Sequence, residues 1–160
     1  MAQGTGTPKV SVNVASGNLL RQIQVIDGVA GIVGTAYVKI GVIETVYSYD
    51  DAVTKGYTTT DEPFLNTQIK QFYEELGGNQ ELWILGVEDT MTLESMVNST
   101  NVNGLKKLVT VSQGRVNLVY VCRKPAPSYT MPAGFLDKDV ENAVIMSKAI
   151  CQYQQSINRP

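Results

Sequence analysis

Hydrophobic residues form three nearly continuous runs along the chain, at positions 28–36, 81–87 and 116–122. Short runs without polar alternation are typical of strands that are covered on both faces of a sheet. A further strand or edge segment is predicted at 40–47. The segment 9–14, KVSVNV, differs because valine alternates with polar residues, which predicts a strand that is buried on one face only.

Helical spacing marks the stretch after Pro63. Proline suits the first turn of a helix, and Gly77-Gly78 can form a left-handed C-terminal cap. Apolar residues then recur on one side of this helix, which predicts that this side is buried. The residues predicted on it are Phe64, Leu65, Ile69, Phe72, Tyr73 and Leu76.

Shorter helical patterns and one long helix complete the chain. A short helical turn is predicted at 50–55, and two short helices are predicted at 93–97 and 102–109. The last helix is predicted at 137–157, with Asp137 as its N-cap. Its core-facing residues are predicted to be Val140, Ala143, Val144, Ile150 and Ile157.

Strands that alternate with helices predict an α/β fold with a mostly parallel sheet, covered by helices on both faces and preceded by an extended N-terminal arm. We therefore divide the chain into an arm and tether at 1–24 and an α/β domain at 25–160. The helix face and the apolar strands are expected to bury one another. One core is predicted to contain Phe72, Trp83, Ile84 and Tyr120.

The arm contains a predicted strand that has no obvious partner within the chain. Val10, Val12 and Val14 lie on one face of that strand, and a turn signal at 16–18 separates it from the first buried run. The segment 16–24 can act as a tether to that run. Because alternating valines bury one face only where a sheet edge accepts the strand, we predict that these three valines contact another subunit.

Composition and charge narrow the possible functions. The chain has 160 residues and a net charge of −2, so it lacks the basic surface of a nucleic-acid binder. Only 18% of its residues are charged, against about 25% in typical globular domains, which favours a protein that buries surface in an assembly. We see neither a signal peptide nor an apolar stretch long enough for a membrane helix, and we expect folding in the cytoplasm.

Histidine is absent, which excludes Ser-His-Asp and Cys-His catalysis and histidine-ligated metals. The two cysteines, Cys122 and Cys151, cannot form a four-cysteine zinc site and are not spaced as a CxxC pair. Both lie among apolar residues, so we predict buried free thiols. We predict no catalytic residue, no metal site and no cofactor.

Two other patterns have a structural interpretation. Gly28, Gly31 and Gly34 lie within an apolar run, without the GxGxxG spacing that binds dinucleotides, and predict close packing. Paired acids elsewhere are typical of helix starts, where they are stabilised by the helix dipole. Glu88-Asp89 comes directly after a buried strand, where α/β proteins place ligand sites.

The order of the segments resembles the contractile tail sheath family of phages and related injection systems. In that family a stretch of the type GVxxxxAFVGxA precedes a helix ending in FF-x-NGG and then a strand of the type cxVVRV. The resemblance covers roughly residues 25–160. The corresponding positions here are Gly28, Gly34, Ala36, Phe72-Tyr73, Gly77-Gly78 and Leu82–Val87.

The chain departs from the family pattern at three points. Ile32 or Val33 stands where the first stretch has an aromatic residue, and the arginine at the end of the ELWILGV strand is absent. Sheath subunits are also much longer than this chain. We therefore expect either an N-terminal fragment, truncated at its C-terminal end, or a reduced relative, and we favour the fragment.

The resemblance implies a mechanical function and no enzymatic activity. Subunits would polymerise around an inner tail tube and contract to drive it through a cell envelope, while each arm adds a strand to a neighbouring subunit. The implied partners are other copies of the chain, the tube and baseplate proteins, with no nucleic acid and no membrane insertion. The implied location is a virion tail or injection apparatus that is assembled in the bacterial cytoplasm.

A flavodoxin-like module that binds a small ligand is the alternative hypothesis. Its site would lie at the strand ends, near Glu88, Asp89, Arg123 and Lys124. Such a module should pack residues 9–14 into its own sheet, whereas a sheath subunit should offer them to another chain. A third hypothesis is a different structural protein of a virion or secretion system with the same fold.

Overall fold

The structure is a computed structural model that describes residues 28–77, 80–125 and 137–157. Within these ranges lie four strands and five helices. In chain order they are β1 (Ala30–Thr35), β2 (Ile43–Val46), α1 (Tyr49–Thr54), α2 (Pro63–Leu76), β3 (Leu82–Val87), α3 (Leu93–Val97), α4 (Leu105–Ser112), β4 (Leu118–Cys122) and α5 (Lys138–Ile157).

The four strands form one sheet in the order β2-β3-β1-β4. β1 pairs in parallel with β3 on one side and with β4 on the other, and β2 pairs with β3 in the antiparallel direction. Helices connect the parallel strands, as such crossovers require. The described part of the chain is therefore an α/β fold with a mostly parallel sheet, which confirms the predicted fold class.

Helices α1 and α2 cover the first face of the sheet. Ile32 of β1 and Ile84 of β3 pack there against Leu65 and Ile69 of α2. All four side chains are buried. Because alternate residues of a strand point to opposite faces, the residues between them belong to a second core.

Helices α3, α4 and α5 cover the second face. Val33 of β1 and Leu85 of β3 pack there with Met96, Leu108 and Ile150, one from each of the three helices. The two central strands are thus covered on both faces, which accounts for their unbroken apolar sequence.

A buried carboxylate just before α2 holds the loop after β1. Glu62 is fully buried. Its two oxygens accept hydrogen bonds from the backbone N–H groups of Tyr37, Val38 and Lys39, at 2.9, 2.7 and 2.6 Å. Charge-assisted hydrogen bonds of this kind offset the cost of burying a carboxylate. Glu62 therefore fixes the backbone of this loop against the start of α2.

Two helices end and begin at the signals seen in the sequence. Pro63 is the first residue of α2, and Gly77 comes after its last turn with a left-handed φ of 64°. At the start of α5, the carboxylate of Asp137 accepts a hydrogen bond from the N–H of Asp139 at 2.9 Å. The predicted cap at Asp137 is confirmed.

The prediction of one core around Phe72, Trp83, Ile84 and Tyr120 is wrong. Ile84 and Phe72 belong to the first face, whereas Trp83 packs on the second, because neighbouring residues of a strand point in opposite directions. Tyr120 lies in the edge strand β4 and is 55% exposed. The sheet therefore has two cores rather than one.

Two other side chains predicted as buried are exposed. Leu76 is in the last turn of α2 and is 49% exposed, although Tyr73, one turn earlier, is buried. Val144 of α5 is 62% exposed because the helix packs through Ala143 and Ile150, and a neighbouring position is rotated by about 100°.

The predicted arm lies outside the described residues. This applies to the strand at 9–14, to Val10, Val12 and Val14, and to the segment up to residue 24. The division between an arm at 1–24 and a domain at 25–160 stays a prediction.

Glu62→Gln is expected to lower the free energy of unfolding by about 2–3 kcal/mol. The amide NH₂ of glutamine would face backbone N–H groups whose hydrogen bonds the carboxylate now accepts. Urea denaturation measures this loss. Glu74→Gln is the matched control, since the Glu74 side chain is 63% exposed and pairs with Lys70 at 3.7 Å on the surface of the same helix. The control should change stability by less than about 0.5 kcal/mol. Equal losses for the two variants would contradict the role assigned to Glu62.

Candidate functional site

The acidic pair predicted for a ligand site lies at the carboxyl end of β3. Glu88 and Asp89 are both exposed there. A cavity of about 230 Å³ opens at this end of the sheet, and Glu88 lines it whereas Asp89 does not. The lining residues are Ile40, Gly41, Gly86, Val87, Glu88, Met91 and Asn103.

The basic pair predicted for the same site does not line this cavity. Arg123 comes after β4, and its guanidinium pairs with the carboxylate of Asp139 at 3.3 Å. The ammonium group of Lys124 is hydrogen-bonded to the hydroxyl of Tyr37. The four residues of the predicted ligand site are therefore divided between two places, and both basic side chains have partners of their own.

Asp139 joins three elements at this end of the sheet. Its carboxylate accepts hydrogen bonds from the backbone N–H groups of Leu93 and Glu94, at 2.9 and 3.0 Å, and also pairs with Arg123. An acid from α5 thus caps the N-terminus of α3, more than forty residues away along the chain. The sequence predicts an acidic helix start here but carries no signal for this distant contact.

A polar cluster lies beneath the loop after β1. The Lys39 ammonium pairs with Glu44 at 3.0 Å and lies over the ring of Tyr57, 5.0 Å from its centroid. Tyr57 is fully buried. Burial, followed by the nearby Glu44 carboxylate, raises the pKa of Tyr57. Its hydroxyl therefore stays protonated at neutral pH.

The two cysteines differ in exposure. Cys122 is buried in β4, whereas Cys151 is exposed on α5, and both are free thiols. The prediction of burial is confirmed for Cys122 and wrong for Cys151, because α5 turns Ile150 and not its neighbour toward the sheet. Burial raises the pKa of the Cys122 thiol to about 12, so this thiol stays protonated and unreactive at neutral pH.

Within the described ranges, no group of three or more His, Cys, Asp or Glu residues could hold a metal ion. In the same part of the chain, no helix combines the length and the apolar character needed to cross a membrane.

One outer edge of the sheet is partly occupied by side chains. Gly86 of β3 donates a hydrogen bond to the carbonyl of Val42, just before β2, so the carbonyl of Thr45 points away from β3. That carbonyl accepts a hydrogen bond from the Lys55 ammonium at 2.6 Å. A charged side chain at this position obstructs the addition of another strand.

The other outer edge, at β4, is open within the described residues. β4 has a neighbour there only in β1. The N–H of Leu118 faces the carbonyl of Val29, so the backbone groups of Val119 and Val121 point away from β1. This edge can accept hydrogen bonds from another strand.

Exposed apolar side chains lie beside the open edge of β4. Leu118 and Tyr120 of β4 lie on the first face and are 63% and 55% exposed, because α2 covers β1 and β3 but leaves most of β4 uncovered. A groove of about 340 Å³ runs between α2 and β4 and is here called the edge groove. It is lined by Ile32, Gln68, Gln71, Phe72, Glu75, Leu76 and Tyr120.

A second exposed apolar surface lies at the opposite end of β1. The loop that Glu62 holds carries Tyr37, Val38 and Ile40, which are 40%, 70% and 46% exposed. Its backbone is fixed although its apolar side chains face solvent. This loop is therefore a candidate contact surface.

Comparison with known proteins identifies one family. The family described as DUF2586, N-terminal domain, matches residues 7–144. No curated protein matches the chain significantly. A search of solved structures also finds no significant match.

The two thiols are expected to react at very different rates. In the folded protein at pH 8, Cys151 should react with a maleimide at least about 100-fold faster than Cys122, which is buried and protonated. Mass spectrometry of the labelled peptides measures both rates, and labelling in urea, where both should react, is the control. Comparable rates in the folded protein would show that Cys122 is accessible.

Proposed function

The chain belongs to the DUF2586 family, and we propose that it is a structural subunit of a contractile tail sheath. The order of its segments resembles that of sheath subunits, and the described strands and helices keep that order. The proposed partners are other copies of the chain, an inner tail tube and baseplate proteins. The proposed location is a virion tail or injection apparatus, assembled in the bacterial cytoplasm.

The observation that carries the proposal is the open edge of β4 beside exposed apolar side chains. Monomeric proteins usually protect an edge strand with charges, proline or a covering segment. Here Leu118 and Tyr120 are exposed on this edge, and Leu76 extends the apolar surface from α2. Such an edge is typical of a strand that another chain completes.

A second observation concerns the geometry of assembly. Leu118 is paired with the first residue of β1, whereas Tyr37 and Val38 come after its last residue. The two exposed apolar surfaces therefore lie toward opposite ends of the central strand. Two different surfaces can bind head to tail, and this type of contact produces rings or helical tubes rather than closed dimers.

In the proposed mechanism, the extended assembly stores free energy in the packing of its subunits. Subunits stack as rings in an extended state, and their arms, including Val10, Val12 and Val14, add strands to neighbouring subunits. During contraction the domains slide past one another while the arms keep the subunits connected. The released free energy is the difference in packing between two assembled states. Neither a nucleotide nor a metal takes part.

Deleting residues 1–15 should abolish tube formation by the full-length protein. The deletion should shift the melting temperature of the domain by less than about 2 °C, because the described core lies entirely C-terminal to it. Negative-stain electron microscopy and a thermal melt measure the two effects.

A substitution pair refines this test. Replacing Val10, Val12 and Val14 by Ser should also abolish tubes, whereas Ser11→Thr with Asn13→Thr on the polar face should preserve them. Tubes formed by the deleted protein would contradict the role of the arm. Unfolding of the domain on deletion would show that the arm is a strand of its own sheet.

The alternative function, binding of a small ligand, is favoured by one observation, the cavity beside Glu88. A thermal-shift screen with nucleotides, flavins and small anions tests it. A ligand at 100 times its dissociation constant should stabilise the protein by about 2.7 kcal/mol. We expect no such stabilisation, and a specific one would support the ligand-binding module over the sheath subunit.

A further inference from the structure

We propose that the edge groove and the open edge of β4 form the acceptor site for residues 9–14 of a second copy of this chain. This inference rests on the proposed function, because it assumes that the arm is exchanged between subunits. It goes further by naming the strand that accepts the arm and the side chains that contact its valines.

The two edges of the sheet are not equivalent. On the outer edge of β2, the carbonyl of Thr45 accepts a hydrogen bond from the Lys55 ammonium at 2.6 Å. On β4, the outward backbone groups of Val119 and Val121 have no neighbouring strand among the described residues. Within the described part of the chain, an added strand therefore meets a charged side chain at β2 and unpaired donors and acceptors at β4.

The side-chain pattern of the arm matches β4. Leu118 and Tyr120 are two residues apart and lie on the same face, with period-two spacing. A strand paired beside β4 would place its own alternate residues, Val10, Val12 and Val14, on that face. Residues directly opposite each other on paired strands have Cβ atoms about 5 Å apart, so the valines would contact Leu118 and Tyr120.

Helix α2 provides a cover for these valines. Phe72 and Leu76 line the edge groove above Ile32 and Tyr120. Valines placed there would bury the apolar surface that α2 leaves exposed. The polar residues of the arm, which alternate with the valines, would point to the other face of the sheet. A single added strand would thus form backbone hydrogen bonds with β4 and fill the edge groove with its valines.

The position of the first described residues makes the exchange geometrically feasible. The carbonyl of Val29 accepts hydrogen bonds from Asn117 and Leu118, so the chain enters β1 directly beside the start of β4. Residues 15–27 can span roughly 45 Å when extended. A tether of this length can carry residues 9–14 to a β4 edge that lies within that distance of Val29.

Disulfide cross-linking between two differently tagged full chains tests the site. Cys151→Ser removes the exposed thiol from both, while the buried Cys122 is retained. One chain carries Val12→Cys and the other Tyr120→Cys, and the mixture is oxidised mildly. Val10→Cys and Val14→Cys sample the neighbouring registers on the same face.

Two matched controls define the background. Val144→Cys replaces Tyr120→Cys at a position of similar exposure, 62% against 55%, on α5. Ser11→Cys replaces Val12→Cys on the other face of the arm. If Tyr120→Cys unfolds the protein, Leu118→Cys, at a position that is 63% exposed, takes its place.

We expect at least about 10-fold more mixed dimer from a valine-face cysteine with Tyr120→Cys than from either control pair, since paired strands bring Cβ atoms to disulfide distance. Cross-linking no stronger than the controls would overturn the proposed acceptor site. A chain that carries both cysteines, diluted into excess unmodified protein, tests whether the arm pairs with β4 of its own chain. A predominant intrachain disulfide there would also overturn the proposal.

Electron microscopy of the full-length protein separates this inference from the proposed function. Tubes without the cross-link would keep the sheath proposal and overturn the β4 acceptor. The cross-link without tubes would support exchange at β4 and count against the sheath.

Discussion

The double burial of β1 is the constraint on which the rest of this structure depends. All six residues of Ala30–Thr35 are buried, with β3 on one side and β4 on the other. A parallel strand of this kind needs helices above and below it, because its neighbours cannot be reached by a tight turn. The positions of α2 on one face, and of α3, α4 and α5 on the other, result from this requirement.

The same arrangement explains which part of the described sheet is left uncovered. On the second face, side chains of β4 such as Val119 and Val121 pack with residues of the helices, but on the first face α2 lies over β1 and β3. Leu118 and Tyr120 are left exposed at the outer edge. Among the described residues, this exposed apolar surface lies beside backbone groups of β4 that have no neighbouring strand.

Two acidic residues accept hydrogen bonds from the backbone of other elements. Glu62 holds the loop after β1 through three backbone N–H groups, and Asp139 caps α3 while pairing with Arg123. Each joins elements that are distant in sequence. The loop that presents Tyr37 and Val38 is therefore set by a buried carboxylate, which allows exposed apolar side chains to sit on a fixed backbone.

The sequence by itself determined the kind and order of the elements. Unbroken apolar runs predicted strands that are covered on both faces, and Pro63 and Gly77 predicted the limits of α2, because these signals depend on local backbone geometry. Only the tertiary structure decided which residues are exposed. Tyr120 and Cys151 were apolar positions that the chain leaves in contact with solvent, and Asp139 found a partner more than forty residues away. The physical reason is that exposure depends on the area a helix covers and on strand order, and both are set by contacts between distant segments.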